Sequence, residues 1–410
     1  MAEVLLISAG SGEVRHALVR DGRLVEYAVE PAGAPSLVGN VYAGRITRVA
    51  PGPRAAFVDC GLDRSAFLPL EDVNLFEGQS LPVQVVSDPV ADKGARVTTR
   101  LALAGRLLVL CAGGGAITVS RRIADAAESR RLERLVAEMA RPHGAGVIVR
   151  TLAEGADEAA LAADLAALVE AWAGLSERGA RAASPALLHQ EPGPVERALR
   201  EAAAPAIEQV VVDDRAALAA ARAYCRRAAP ALEARLALHA APEPLFARYG
   251  IDDEVASLLD ARVTLKSGAA ITIERTRALV AVDVDSAGAA GAAGRALAVN
   301  LEAAAEIARQ LRLRSIGGLV VIDFIGMAGE GARARVMAAL GDALAADPAP
   351  VRIAPMSEFG VVELTRKRVR PALAELLCAP CPACAGVGLV ERARRGAEVV
   401  RAAAPDRPPS

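Results

Sequence analysis

Three aspartates lie in segments that otherwise have the composition of buried strands. Asp283 and Asp285 alternate with valines in the segment 280–286, and Asp323 lies near the end of the apolar segment 318–325. Alternation along a strand places Asp283 and Asp285 on one face and the valines on the other. Carboxylates in apolar strands are costly unless they are paired, hydrogen-bonded or bound to a metal, and neither segment supplies Lys or Arg. The pattern favours a Mg²⁺ site, with a turn capped by the first two acids as the alternative.

A second group of residues that could bind a metal or react is the cysteine pair of Cys381-Pro-Ala-Cys384. Two thiolates at this spacing make half of a tetrahedral zinc site, and Cys378 is an additional thiol that could serve as a ligand. A redox pair is the competing interpretation, but the motif lacks the preceding strand of a thioredoxin-like unit. The spacing therefore favours zinc.

The elements that would position these residues differ between the two halves of the chain. Short strands with Gly-Pro punctuation run through the first hundred residues, which is typical of a small barrel. From about residue 262 strands alternate with helices, and the pattern predicts helices at 299–314, 331–346 and 361–377. Such alternation indicates a doubly wound α/β layer with its active site at strand C-termini.

Length and composition restrict the class of protein. A chain of 410 residues is too long for one core, so we expect two to four domains. The balance of 48 basic and 49 acidic residues excludes a wholly basic nucleic-acid coat. No apolar run reaches the roughly 18 residues of a membrane span, and the N-terminus lacks the basic region of a signal peptide. These features predict a soluble, cytoplasmic protein.

Longer motifs indicate a protein family. The segment from Asn300 to Ile325 closely resembles the signature of the ribonuclease E/G family of bacterial endoribonucleases. The resemblance continues in Ser357, Phe359-Gly360, 363–366 and Arg368, and earlier in 39–52 and 67–70; in family order it covers about residues 13 to 388. It implies an α/β multidomain fold with RNase H-like and DNase I-like α/β layers, an inserted OB-fold RNA-binding barrel and a 5′-phosphate sensor subdomain.

The same resemblance implies a domain organisation. The expected parts are an RNase H-like domain formed by 1–35 and 206–279, an OB-fold domain at 36–117, a 5′-sensor subdomain at 118–205, a DNase I-like catalytic subdomain at 280–377, a zinc-link at 378–388 and a disordered tail at 389–410.

Roles for the aspartates follow from their position in the family pattern. The resemblance implies that Asp283 and Asp323 hold a Mg²⁺ ion that activates water for phosphodiester hydrolysis, and that Asp285 orients the scissile phosphate or the ion. Two residues depart from the pattern, because Gly326 replaces a second Asp and Glu358 replaces an Arg. The loop 287–295 also lacks an acidic stretch typical of larger members. These departures concern the rate and the substrate register more than the metal site.

The family pattern also implies residues that contact RNA. Phe57 and Phe67 fall where members present stacking aromatics, with Lys93 in a nearby turn; packing in the barrel core is the alternative for either ring. Arg150 and Thr151 match a pocket for a 5′-terminal phosphate, where a guanidinium and a hydroxyl make a suitable clamp. A surface arginine and a helix-capping threonine are an equal alternative.

The expected protein is thus a Mg²⁺-dependent endoribonuclease that cleaves single-stranded RNA in rRNA processing or mRNA decay. In the family, the Cys381 and Cys384 pairs of two protomers share one structural Zn²⁺, which predicts a homodimer. The chain stops soon afterwards, so we expect no scaffold region for degradosome partners. The alternative is a non-catalytic RNA-binding paralogue, motivated by Gly326 and Glu358. A DNA nuclease is disfavoured by the single-strand module.

Overall fold

Backbone pairing sorts the strands of this protein into four sheets within the part of the chain that the computed structural model describes. The described residues are 3–10, 12–31, 33, 36–50, 52, 54–70, 75–89, 93–202, 206–286, 293–327, 329–345, 347–379 and 381–382. The strands are β1 (Glu3–Gly10), β2 (Glu13–Arg20), β3 (Arg23–Pro31), β4 (Val41–Ala50), β5 (Ala55–Asp59), β6 (Ala66–Pro69), β7 (Ser80–Ser87), β8 (Arg96–Thr98), β9 (Ala102–Ala104), β10 (Leu108–Cys111), β11 (Ile117–Val119), β12 (Gly146–Val149), β13 (Ala186–His189), β14 (Ile207–Val212), β15 (Leu236–Leu238), β16 (Arg262–Thr264), β17 (Ala270–Arg275), β18 (Val280–Asp285), β19 (Gly318–Asp323), β20 (Val351–Ile353) and β21 (Val361–Arg366). The helices are α1 (Ala126–Ala140), α2 (Glu158–Arg181), α3 (Pro194–Glu201), α4 (Arg215–Ala228), α5 (Pro230–Glu233), α6 (Leu245–Arg248), α7 (Ile251–Ser257), α8 (Ala293–Leu313), α9 (Glu330–Ala345) and α10 (Leu373–Leu377). The fold is therefore mixed α/β, as the sequence predicted.

The N-terminal sheet has the strand order β15-β14-β1-β2-β3. Strands β1, β2 and β3 form an antiparallel meander, whereas β14 pairs with β1 in parallel from some two hundred residues away. Helices α3 to α5 pack on one face of this sheet, and α6 and α7 pack on the other. The first hundred residues therefore do not form one barrel, because β1 to β3 bury their apolar side chains against this later segment.

The second sheet closes into a barrel. Its strands follow the order β4-β5-β6-β8-β7, and β7 pairs back onto β4. A Cβ at Gly44 would collide with the side chain of Val58, so a glycine allows the barrel core to pack close to β4 at this position. Strand β13 adds to β4 outside the ring, although the sequence analysis grouped its residues with the segment 118–205.

The third sheet has the order β11-β12-β10-β9 and is covered by α1 and α2. Strand β10 thus pairs with β12, across the boundary expected at residue 117, and β9 joins the same sheet through β10. Helix α2 is long and apolar enough to span a membrane by length and composition alone. Its leucines at 161, 165, 168 and 175 are nevertheless buried in the core that this sheet shares with α1.

The fourth sheet, with the order β16-β17-β18-β19-β21-β20, carries the aspartates. Strands β18 and β19 are parallel, and α8 connects them. The β17–β18 hairpin joins residues 262–275 to this sheet, whereas the sequence analysis placed them in the preceding region. Helices α8 and α9 both contribute to the core on one face of the sheet, so two layers form the unit.

The predicted helix at 361–377 is wrong. Residues 361–366 form strand β21, and only α10 is helical in this segment. Val362, Leu364 and Arg366 are buried while their neighbours are more exposed, which is the two-residue period of a strand. Pro371 then separates β21 from α10.

A buried ion pair anchors this edge of the sheet. The Arg366 guanidinium donates to both carboxylate oxygens of Asp347 at 2.9 Å and to the carbonyl oxygen of Ile316 at 2.8 Å. The Asp347 carboxylate also accepts the backbone N–H of Ala349. Asp347 is fully buried and the Arg366 side chain is 3% exposed, so water cannot stabilise either charge and each depends on its partner.

The Asp347→Ala variant tests this dependence. Leaving the Arg366 charge buried and unpaired should lower the free energy of unfolding by about 3–5 kcal/mol. Removal of Glu177, whose pair with Arg181 is exposed on α2, is the control and should change it by less than about 1 kcal/mol. Differential scanning calorimetry of both variants would measure the difference, and equal effects would contradict a structural role for the buried pair.

Candidate active site

The parallel pairing of β18 and β19 brings two of the predicted aspartates together. Asp283 lies directly opposite Asp323 in the ladder, and Val280, Ala281 and Val282 lie opposite Val320, Val321 and Ile322. Neighbouring strands are about 4.8 Å apart, so the two carboxylates can reach a common ligand. The two acids come from segments about forty residues apart and meet at the C-terminal ends of adjacent parallel strands.

The aspartate side chains point away from the helices. Val282 and Val284 are buried in the core with α8 and α9, and Asp283 between them is exposed. Strand β19 repeats this pattern, because Ile322 is buried and Asp323 is exposed. Both carboxylates therefore stand on the open face of the sheet, where a polymer can approach them.

Asp285 lies on the same face, one pleat further along β18. Its Oδ2 atom is 3.4 Å from the guanidinium of Arg262, which belongs to β16. Both side chains are about half exposed. The pair places a cation on the sheet face that carries the two opposed acids, and an arginine fork can bind the oxygens of a phosphate. Arg262 carried no recognisable signal in the sequence, because its proximity results from sheet pairing.

Asn300 holds the segment that follows Asp323. Its Nδ2 atom donates to the carbonyl oxygen of Ile325 at 2.8 Å, and its Oδ1 atom accepts the N–H of Ile325 at 3.1 Å. Asn300 is fully buried on α8, so the helix that connects β18 and β19 also fixes the exit from β19. Asn300 is the first residue of the motif that ends at Ile325, but the sequence predicted no role for it.

The donor set can be compared with the needs of a divalent cation. Mg²⁺ is commonly held by one or two carboxylates while it keeps several waters, and Asp283 and Asp323 supply two oxygen donors on an open face. Within the described residues there is no group of three or more His, Cys, Asp or Glu side chains placed to hold a metal. The residues therefore fit Mg²⁺ and do not fit an ion that requires a full set of protein ligands.

The predicted stacking aromatics lie together on the barrel. Phe57 on β5 is directly opposite Phe67 on β6, and the rings make an edge-to-face pair with centroids 6.2 Å apart. Both side chains are partly exposed, whereas the residues that alternate with them form the barrel core. The guanidinium of Arg48 lies 4.4 Å from the Phe57 ring. The two rings and this cation thus form an aromatic surface outside the barrel core.

Lys93 lies near this aromatic surface. It is exposed and precedes Arg96, which is directly opposite Phe67. The backbone N–H of Phe67 also donates to the carbonyl oxygen of Ala95. The loop that carries Lys93 is therefore held against the edge of β6.

Arg150 and Thr151 lie at the end of β12. The Thr151 hydroxyl is 2.8 Å from that of Ser120, and the Arg150 guanidinium donates to the carbonyl oxygen of Gly105 at 2.7 Å. The same guanidinium is ion-paired with Glu201 of α3. Thr151 is the first residue of a 3₁₀ turn, and the residue at its N-cap is Arg150, so the threonine does not hold the capping position. Sequence reasoning missed Glu201 because it lies 51 residues away in the chain.

The loop under Arg150 is held by a second carboxylate. Asp164 of α2 accepts the backbone N–H groups of residues 106, 107 and 108 at 2.9–3.1 Å. A Cβ at Gly105 would collide with this carboxylate, so only glycine allows the close approach. The carbonyl that accepts from Arg150 is thereby fixed in place.

Arg150 and Thr151 open into a cleft of about 1660 Å³ that also reaches the N-terminal sheet. The charged side chains that line it include two ion pairs, Arg200 with Glu191 and Arg197 with Glu30. Burial alone would raise the pKa of Glu191, but hydrogen bonding to His189 and the charge of Arg200 outweigh this effect and lower it. Burial, together with Arg370 and Arg197, lowers the pKa of His16 to about 3, so this histidine is neutral.

The cysteine motif is only partly within the described residues. Cys378 and Cys381 are both exposed and lie beyond α10. Cys384 lies outside the described residues, as do the zinc-link beyond Pro382, the tail 389–410 and the loop positions 287–292.

Comparison with known proteins identifies relatives over nearly the whole chain. Residues 102–369 match the model of the Ribonuclease E/G family. The chain is 36% identical to Ribonuclease G of Escherichia coli (strain K12) over 416 residues, covering 95% of this chain and 85% of that protein. It is 35% identical to Ribonuclease G of Haemophilus influenzae over 412 residues, covering 94% and 84%. Ribonuclease E of Haemophilus influenzae is 36% identical over 417 residues, covering 95% of this chain and 44% of that protein.

Proposed function

We propose that this chain, an endoribonuclease of the Ribonuclease E/G family, hydrolyses phosphodiester bonds of single-stranded RNA with Mg²⁺. The observation that carries the proposal is the opposition of Asp283 and Asp323 on the open face of the fourth sheet. Relatives named Ribonuclease G match 95% of the chain, which supports the activity. The physiological role that we propose is rRNA processing or mRNA decay in the cytoplasm.

Each residue of the site has a distinct proposed task. Asp283 and Asp323 would hold the ion, which would supply Lewis-acid chemistry at the phosphate when bound. Arg262 would pair with a phosphate oxygen of the RNA, and Asp285 orients its guanidinium. Asn300 keeps the backbone after Asp323 in place, so the two carboxylates stay aligned. The half-exposed Arg262 would also offset repulsion between the RNA and the acids.

The remaining regions of the chain would bind the rest of the substrate. We propose that the closed barrel is an OB-fold module on which Phe57 and Phe67 stack bases, with Lys93 contacting the backbone. The fourth sheet with its two helices corresponds in this proposal to the DNase I-like layer, and the N-terminal sheet to the RNase H-like layer. Stacking on aromatic faces tolerates any base, which suits a single-stranded substrate.

Arg150 and Thr151 would bind a 5′-terminal phosphate. The Arg150 guanidinium already holds the carboxylate of Glu201, an anion that presents two oxygens as a phosphate does. Ser120 and Thr151 place two hydroxyls beside it. A terminal phosphate would take the place of Glu201 at this guanidinium, and so the pocket would distinguish RNA by its 5′ end.

For assembly we propose a homodimer joined by zinc. Cys381 and Cys384 supply two thiolates, and the same pair from a second chain would complete the tetrahedron. The exposure of Cys381 is compatible with a partner reaching it. Cys378 is equally exposed and is the residue that could let one chain fill the site without a partner.

The catalytic proposal is tested with Asp283→Asn and Asp323→Asn. Each variant should lose at least about 100-fold in the rate of cleavage, since even groups that only orient metal ligands contribute 10–100-fold. RNA binding should change by no more than about threefold, because the lost charge holds the ion rather than the strand. Cleavage of a labelled single-stranded RNA across a Mg²⁺ titration, with filter binding in parallel, measures both quantities.

Glu274→Gln is the matched control, because Glu274 is an exposed carboxylate on the neighbouring β17, opposite Ala281. It should keep its rate within about twofold. Near-normal turnover by both aspartate variants would refute the site. An absence of Mg²⁺-dependent cleavage by the unmodified protein would instead favour a non-catalytic RNA-binding paralogue, the alternative that Gly326 and Glu358 motivate.

The 5′-end proposal is tested with paired substrates. The unmodified protein should cut 5′-monophosphorylated RNA about tenfold faster than its 5′-hydroxyl counterpart, the equivalent of one charge-assisted hydrogen bond. Arg150→Ala should abolish the preference while leaving the 5′-hydroxyl rate unchanged. Glu201→Gln should preserve or increase it, because the competing carboxylate is gone. Arg181→Ala, on the exposed surface of α2, should have no effect. Equal rates on both substrates before any substitution would show that the pocket does not sense the 5′ end.

The zinc proposal predicts that metal content and association state change together. We expect about one zinc per two chains, since each chain supplies two of four ligands. Cys381→Ser combined with Cys384→Ser should give metal-free monomers. Cys378→Ser should change neither quantity. Elemental analysis combined with light scattering measures both, and one zinc per monomer at every protein concentration would refute a shared site.

A further inference from the structure

Phe359 is the most exposed large hydrophobic side chain among the described residues, at 91%. Phenylalanine is scarce in this chain, which has six in 410 residues. Phe246 and Phe324 are buried, Phe57 and Phe67 pack against each other, and Phe76 is exposed to 67%. A ring left in water forgoes the stabilisation that burial would give it, so its position calls for a functional explanation.

The backbone that carries this ring lies next to the end of β19, where Asp323 stands. Val361, the first residue of β21, is directly opposite Asp323, and Phe359 precedes it by two positions. Gly360 has a left-handed backbone with φ of +86°, and a Cβ there would lie 3.9 Å from the carbonyl oxygen of Phe324. The turn that carries Phe359 is thus adjacent to the residue that follows Asp323.

The turn itself is well fixed by hydrogen bonds. The N–H of Gly360 donates to the carbonyl oxygen of Ser357 at 3.0 Å, and the N–H of Ser357 donates to the carbonyl oxygen of Val361 at 2.9 Å. The Ser357 hydroxyl accepts the N–H of Val361 at 3.2 Å. The glycine conformation closes the turn. The backbone therefore presents the ring from a defined place rather than from a loose loop.

We infer that Phe359 is a stacking platform for a nucleobase next to the scissile phosphate. The inference rests on the proposed function, because it takes single-stranded RNA as the occupant. An aromatic face recognises any base, and a flat apolar ring beside a metal-binding pair can fix the register of the strand without hydrogen bonds to the base. The barrel rings would grip the RNA at a distance, whereas Phe359 would seat the nucleotide at the point of cleavage.

The inference predicts a loss of binding with little loss of chemistry. Phe359→Ala should raise the KM for a short single-stranded RNA by about 10-fold, within the range of one lost base stack, while kcat changes by less than about threefold. Phe359→Trp should restore the KM, since it keeps an aromatic face. Phe359→Leu should not restore it, which separates stacking from simple apolar contact. Tyr249→Ala removes an exposed aromatic between α6 and α7 and should leave the KM unchanged.

A substrate with a single abasic nucleotide gives the second measurement. Placed in turn at each position flanking the cleaved bond, it should reduce binding by the unmodified protein at one position only. At that position Phe359→Ala should cause no further loss, because ring and base act as one pair. Unchanged affinity in Phe359→Ala would overturn the inference, as would a loss that is independent of the abasic position.

These tests separate the inference from the proposal on which it rests. Fluorescence anisotropy with a short labelled RNA measures binding without cleavage, so stacking is testable even if the protein does not cut. Cleavage that proceeds normally while Phe359→Ala binds normally would refute stacking and leave the nuclease proposal intact. A change in association state on light scattering, with RNA affinity unchanged, would assign the ring to contact with a second copy and overturn the inference.

Discussion

The parallel pairing of β18 with β19 is the constraint on which the rest of the site depends. It sets Asp283 opposite Asp323, and a shift by one residue would turn one of the two carboxylates into the core. Parallel neighbours cannot be joined by a tight turn, so α8 must cross between them. That crossover also delivers Asn300 to the backbone of Ile325, and one connection thus fixes both the register and the exit of β19.

The second consequence of this pairing is an uncovered sheet face. Because α8 and α9 both pack on the side of Val282 and Ile322, the residues on the opposite side of β18 and β19 are partly or fully exposed, and three of them are aspartates. A sheet covered on both faces would leave only its end open to a ligand, whereas this one can lie along an extended strand of RNA. The buried pair of Asp347 with Arg366 stabilises the far end of the same sheet, where no substrate is proposed.

Local patterns were enough to predict some elements but not the contacts between distant ones. The alternation of valine and aspartate predicted the face on which Asp283 lies, and the position of Asp323 in an apolar segment predicted the second strand. The helix expected at 361–377 was wrong because residues 361–366 have the two-residue period of a strand, and only the segment after Pro371 is helical. Arg262 and Glu201 were missed because their partners lie 23 and 51 residues away, and only sheet pairing and helix packing bring them together.

The near balance of 48 basic and 49 acidic residues is reflected in ion pairs at the proposed RNA-binding positions. Two of the cations proposed to meet RNA hold carboxylates, since Arg150 pairs with Glu201 and Arg262 pairs with Asp285. A phosphate that binds either arginine must therefore displace the carboxylate already paired with it. The free energy gained is the difference between the arginine–phosphate and the arginine–carboxylate contact. Binding to many phosphates through such exchanges is weak at each one. Discrimination then depends more on groups that bind the substrate without giving up an internal anion, such as the exposed ring of Phe359.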